Sequence, residues 1–116
     1  MSESMHWPAL IAGGWQTLPF TPFREGVDAA WLLRSTCVDN PLEMAVLRYA
    51  SGAGVPKHRH QGTETILVLE GAQSDEHGTY GMGTCIINPR GSEHWVYSEH
   101  GCVVLVQWEE PVLFLD

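Results

Sequence analysis

The chain has 116 residues, enough for one hydrophobic core built without disulfide or metal staples. Apolar residues make up 44%, which favours a folded chain, and the 12 glycines and 7 prolines imply many turns. A net charge of −8 argues against nucleic acid and against an anionic membrane surface, both of which call for a basic face.

In chain order, Met1 to Trp7 lacks the basic and apolar blocks of a secretory leader, and no apolar run reaches the ~18 residues of a membrane span. Three cysteines, Cys37, Cys85 and Cys102, are too few and odd in number for a disulfide framework. A reducing, cytoplasmic setting is expected, with Cys85 and Cys102 buried in their apolar runs. Residues 1–26 carry Pro8, Gly13, Gly14, Pro19 and Pro22 and read as an extended or irregular arm, able to pair with a sheet edge or a partner subunit. Val27 to Arg34 and Leu42 to Ala50 are short runs between turn signals, so strand is favoured over helix.

Later runs are clearer. Thr65 to Glu70 is β-branched and aliphatic and closes at Gly71. Gln73 to Asp75 and Thr79-Tyr80 flank a hairpin turn at Glu76-His77-Gly78. Thr84 to Asn88, His94 to Ser98 and Cys102 to Trp108 follow, with a turn at Pro89-Arg90-Gly91. Short strands broken by turns at this spacing predict an all-β sandwich or small barrel. No repeat, low-complexity segment or linker divides residues 1–116, so one domain is expected.

Two stretches carry chemistry. The first is Gly52-x5-His58-x-His60-x3-Glu64-x6-Gly71, and the second is Gly83-x5-Pro89-x-Gly91-x2-His94. Residues two apart on a strand share a face, so His58 and His60 can present both imidazoles to one side. Glu64 has the same parity but lies about 13 Å further along an extended chain, so the backbone must bend. Gln61-Gly62-Thr63 supplies that bend, with Gly62 free to take a positive φ. His94 returns through a hairpin and the Pro89-Arg90-Gly91 turn. A lone His-x-His is more often a surface pair, but this longer pattern points to one divalent transition metal held by His58, His60, Glu64 and His94. Imidazole and carboxylate donors suit Zn, Fe, Mn, Ni or Co rather than Mg or Ca. Four protein ligands can close a structural zinc site or leave positions open for a substrate. His6, His77 and His100 lack such context and read as solvated.

These stretches resemble the paired motifs of the cupin superfamily, at the glycines, the four ligands and Pro89. The resemblance covers roughly residues 42–108 and implies a double-stranded β-helix, or jelly-roll barrel, with a metal-binding core. Where cupins often carry Asn four positions after the last histidine, this chain has Ser98. A narrower likeness runs through residues 64–71, 74–80, 88–94 and Gly101-Cys102, which look like the ChrR-type cupins. That group also includes proteins similar to an acetylacetone-cleaving dioxygenase. In ChrR-type proteins a helical zinc-binding domain that holds a sigma factor precedes the cupin. No such segment precedes it here, so sigma binding is not expected. The dioxygenase uses three histidines, so Glu64 is a departure from it.

The resemblance implies a metal-dependent dioxygenase acting on a small dicarbonyl-like or other chelating molecule. Glu64 would be a fourth ligand or would swing off as a general acid or base. The alternative is a non-catalytic ChrR-like sensor or binding module. A sugar isomerase or epimerase ranks lower, because no dedicated acid/base pair is evident. Ile66 and Val68 share the parity of Glu64, and Val96 that of His94, so an apolar pocket should adjoin the metal. Trp95 has the opposite parity and should point away. Arg48 and Gln107 are further candidates for the pocket, and Glu93 reads as a solvated carboxylate beside a ligand. A homodimer is expected, with Trp7 and Trp15 in an arm that could cross to the partner.

Overall fold

The computed structural model describes residues 3–115. Two 3₁₀ turns, Leu10–Ala12 and Gly14–Thr17, open the chain. Ten strands follow: β1 (Thr21–Arg24), β2 (Val27–Leu33), β3 (Glu43–Tyr49), β4 (Gly54–Arg59), β5 (Glu64–Asp75), β6 (Gly78–Gly81), β7 (Cys85–Asn88), β8 (Glu93–Tyr97), β9 (Cys102–Trp108) and β10 (Leu113–Phe114). Every pairing is antiparallel, and the strands curl in the order β1-β2-β3-β9-β5-β8-β4-β10, with β6 and β7 paired to β5. This is the all-β jelly-roll architecture that the sequence predicts. No helix among the described residues is long and apolar enough to cross a membrane.

Strand β5 joins the two walls of the curl. Its first half pairs with β7 and β9, and its second half with β6 and β8. Gly71 therefore bends the strand instead of closing it. Its φ is 73°, and a Cβ there would stand 2.3 Å from the Gly101 carbonyl oxygen, so only glycine fits the crossing. The register with β9 also slips between Val68 and Glu70, which lets the strand coil.

The β2-β3-β9-β5 wall is buried on both faces, which explains why its strands read as continuous apolar runs. Inward, Val27, Ala29, Ala45, Leu47, Ile66, Val68, Val104 and Val106 form the main core. Outward, Ala30, Leu32, Val46, Leu69 and Val103 are covered by Leu10, Trp15, Leu18 and Phe20. The N-terminal arm thus packs on its own wall, and its strand β1 pairs with the edge of β2.

Several expectations are corrected. Cys85 is exposed, because its strand β7 turns that position away from the core, whereas Cys102 is buried as expected. Gly62 is not among the glycines with positive φ. It is needed for close approach instead, since a Cβ there would meet the Glu109 Cβ at 2.9 Å. Arg48 points outward to an ion pair with Asp28 at 3.0 Å. Gln107 alternates with the inward Val104 and Val106 and does not line the cavity.

Candidate metal centre

His58 and His94 face each other as direct cross-strand partners on β4 and β8. A register shift between Val55 and His58 places Pro56 at an irregularity, where a strand tolerates the missing N–H. His60 lies just beyond β4, at the start of the bend. There the chain is clasped by the Pro89–Ser92 turn: the His60 N–H donates to the Ser92 carbonyl at 2.9 Å, and the Gly91 N–H to the His60 carbonyl at 2.7 Å. The chain then crosses to the opposite wall, where Glu64 opens β5. Three imidazoles from one wall and a carboxylate from the other therefore converge, as the spacing predicts.

All four side chains are buried, at 1–5% exposure. One donor atom from each lies within 4.8 Å of the others. That is slightly wider than the ~4 Å between opposite donors around an ion with bonds of ~2 Å.

The Nδ1 contacts fix which nitrogens face inward. His58 Nδ1 lies 2.8 Å from the Pro56 carbonyl oxygen. His60 Nδ1 lies 3.1 Å from the Ser92 carbonyl and 2.9 Å from Ser92 Oγ, whose own proton goes to Pro89. His94 Nδ1 lies 3.5 Å from Asp75 Oδ2. Each Nδ1 therefore carries the proton and each Nε2 presents a lone pair. The Nε2 atoms of His60 and His94 are buried without a hydrogen-bond partner. They stand 3.1 Å and 3.8 Å from Glu64 Oε1. Lone pairs aimed at a carboxylate oxygen repel unless a cation or a proton lies between them. The arrangement fits a metal ion, and the donor set is that of a transition metal.

Electrostatics agree. Burial, the largest influence, pushes the His58 and His94 pKa values down, toward the neutral form that binds metal. Burial alone would raise the Glu64 carboxyl, but positive charge on the imidazole side, His60 foremost, outweighs it, and the net displacement is downward. Asn88 Nδ2 donates to Glu64 Oε1 at 2.9 Å, and Trp108 Nε1 to Oε2 at 2.7 Å. Two donors thus hold the carboxylate ionised and fixed in place.

A cavity of about 440 Å³ opens onto His58, Glu64 and His94. Ile66 and Val96 line it, as their parity predicts, together with Val55, Val104 and Val106, whereas Val68, expected with them, is buried in the core and does not reach it. Phe23, Trp31 and Trp108 form an aromatic cluster on its wall, with ring centroids 5.7–6.3 Å apart. Trp95 is on the outer face, and His6, His77 and His100 are exposed, as expected. Glu93 pairs with Arg59 at 2.6 Å on that outer face. Sequence reasoning missed Asp75, Asn88, Ser92 and Trp108 as supports of the four clustered side chains. Asn88 ends β7, Ser92 lies in the turn before His94, and Trp108 ends an apolar strand, so only their contacts reveal these roles. Ser98, fully buried, donates to the Ala72 carbonyl at 2.7 Å, a structural duty.

Comparisons with known proteins agree with this fold. The ChrR Cupin-like domain family matches residues 9–110. The anti-sigma-E factor ChrR of Cereibacter sphaeroides is 38% identical over 65 residues, which are 54% of this chain and 30% of that protein. Among solved structures, ChrR in complex with SigE from Rhodobacter sphaeroides has a TM-score of 0.72 at 28% identity, covering 87% of this chain and 56% of that one. An acetylacetone dioxygenase from Acinetobacter johnsonii has a TM-score of 0.76 at 17% identity, covering 84% of this chain and 72% of that one. The chain therefore spans under a third of the curated relative it matches, and the dioxygenase likeness is one of fold.

Proposed function

This chain belongs to the ChrR cupin-like domain family, and from that premise we propose that it is a metal-dependent cupin acting on a small chelating molecule, in the manner of a dicarbonyl dioxygenase. The observation that carries this reading is the cavity that opens onto three of the four clustered side chains. A closed structural site has no such approach.

His58, His60, Glu64 and His94 would hold the metal, drawn from Zn, Fe, Mn or Ni. When bound, it would supply a Lewis acid for chelating oxygens and, if redox-active, access to O₂ chemistry. The chain's own residues do the rest. Ser92, Asp75 and the Pro56 carbonyl orient the imidazoles. Asn88 and Trp108 hold both Glu64 oxygens, which supports a fixed ligand over a carboxylate that swings off to carry a proton. The apolar wall excludes water and favours a compact organic ligand.

The alternative is a non-catalytic sensor or binding module, favoured by the 38% identity to ChrR. The same metal and cavity would then report a ligand without turnover. Two protomers would associate through the exposed aromatic pair on β8, Trp95 and Tyr97, whose rings lie 5.4 Å apart.

Elemental analysis of purified protein tests the shared premise. About one transition metal per chain is expected, and His94→Ala should lose it. A metal-free wild type would overturn both readings. Metal-replete protein that binds dicarbonyls without turning them over would leave the sensor and remove the enzyme.

A further inference from the structure

Among the described residues, one charge on the cavity wall has no ion-pair partner. Of the five arginines, Arg34 pairs with Glu43 at 3.6 Å, Arg48 with Asp28 at 3.0 Å, Arg59 with Glu93 at 2.6 Å and Arg90 with Glu110 at 2.9 Å. Among the described residues, the Arg24 side chain makes neither an ion pair nor a hydrogen bond. Arg24 also lines the cavity.

Its position is defined by stacking. The Arg24 guanidinium lies over the Phe114 ring, 4.6 Å from the centroid. That ring is in turn 6.0 Å from the imidazole of His58. Phe114 belongs to β10 and Arg24 to β1, the two ends of the strand order, so this contact spans the seam where the curled sheet does not close. Stacking holds the plane of the guanidinium and leaves its N–H fork free. The other arginine on the cavity wall, Arg34, is neutralised by Glu43 and stacked on Trp31. Among the described residues Arg24 is therefore the open cation of this cavity, one aromatic ring away from His58.

We propose that Arg24 is a specificity-determining residue, which selects ligands carrying a carboxylate separate from the oxygens that chelate the metal. This rests on the metal-site reading above. The apolar wall between the two polar anchors would take a short hydrocarbon tether. The buried Tyr49 phenol, also on the wall, is kept protonated by its burial.

Two probes share a β-diketone head and differ in a distal carboxylate: acetylacetone lacks it and succinylacetone has it. Calorimetric titration of Ni-loaded protein, with metal content measured on the same samples, should show wild type preferring succinylacetone by about tenfold or more. Arg24→Gln should bring the ratio of the two affinities near one with its metal content intact, and Arg24→Lys should restore part of it. An unchanged ratio in Arg24→Gln, or equal affinities in wild type, overturns this inference and leaves the metal site standing. Absence of bound metal in wild type overturns the underlying reading and the inference with it.

Discussion

The indole N–H of Trp108 donates to Glu64 Oε2 at 2.7 Å, on the opposite carboxylate oxygen from the one that faces His60 and His94. The last residue of β9 thus sets the first residue of β5, its direct cross-strand partner. A buried carboxylate that accepts from an indole and an amide keeps its remaining lone pairs pointed at the imidazoles. Trp108→Phe keeps an aromatic ring beside Trp31 and removes only the donor. Metal affinity, measured by competition with a chelator, should fall about 10- to 100-fold. Asn88→Ala should act in the same direction. Unchanged affinity in both variants would remove Glu64 from the ligand set.

Glu64→Gln asks a related question about charge. The amide keeps the shape but offers neutral donors where an anion faced two imidazoles. Retained but weakened metal binding is the expected result, with a smaller loss than in His94→Ala. If Glu64→Gln bound metal as tightly as wild type, the carboxylate would be a bystander and the three histidines the whole site.

Acid should weaken the metal-free fold. Burial holds His58 and His94 below the ordinary 6.5. Below that pH the unfolded chain takes up protons that the folded chain resists, so the stability is full above 6.5 and is lost as pH falls through the lowered folded values. Glu64 is also displaced below its ordinary 4.5, so its contribution is present above 4.5 and lost as pH falls further. The signs agree. The urea midpoint of metal-free protein should decline steadily from about pH 7 to about pH 5, and His58→Gln with His94→Gln should flatten that slope. A wild-type midpoint that stays level over the interval would contradict the burial argument.

The clustering of His58, His60, Glu64 and His94 was legible because strand parity and glycine placement are local. Gly52, Gly71, Gly83 and Gly91 all take positive φ. His58 and His60 share a face because they are two apart. What stayed hidden depends on partners distant in sequence. Gly62 looked like a φ-driven bend, but its constraint is the approach of Glu109 from 47 residues away. Gly71 looked like a strand end, but β5 runs on because its second half finds β6 and β8. Cys85 read as buried because apolar neighbours say nothing about which side of an edge strand faces water. Arg24 carried no signal at all, since its place on the cavity wall over Phe114 depends on β1 and β10 meeting across the seam.

Gly71 gives the sharpest test of the crossing. With φ at 73° and the Gly101 carbonyl oxygen 2.3 Å from any added Cβ, alanine would be strained in its backbone and would clash with a chain segment that cannot yield as a side chain does. Gly71→Ala should destabilise by at least ~2 kcal/mol in urea titration. Gly81 lies ten residues on, with φ outside the left-handed region and open space where a methyl group would go, so Gly81→Ala should cost little. Similar losses at the two positions would mean that β5 is not pinned at the crossing.

Association is the last test. Trp95 and Tyr97 alternate with the buried His94 and Val96 and keep 38% and 39% of their surface exposed. Two stacked aromatics on one strand face bury a large apolar area when covered, and Trp and Tyr are typical anchors of an interface. Light scattering should give about twice the 12.9 kDa chain mass. Trp95→Glu with Tyr97→Glu should give the single chain mass with its β-rich circular dichroism intact, because neither side chain belongs to the core. A wild type that runs at 12.9 kDa at every concentration tried would refute the dimer. A double variant that remains dimeric would move the interface elsewhere, toward the exposed Met82 and Ile87 around β7.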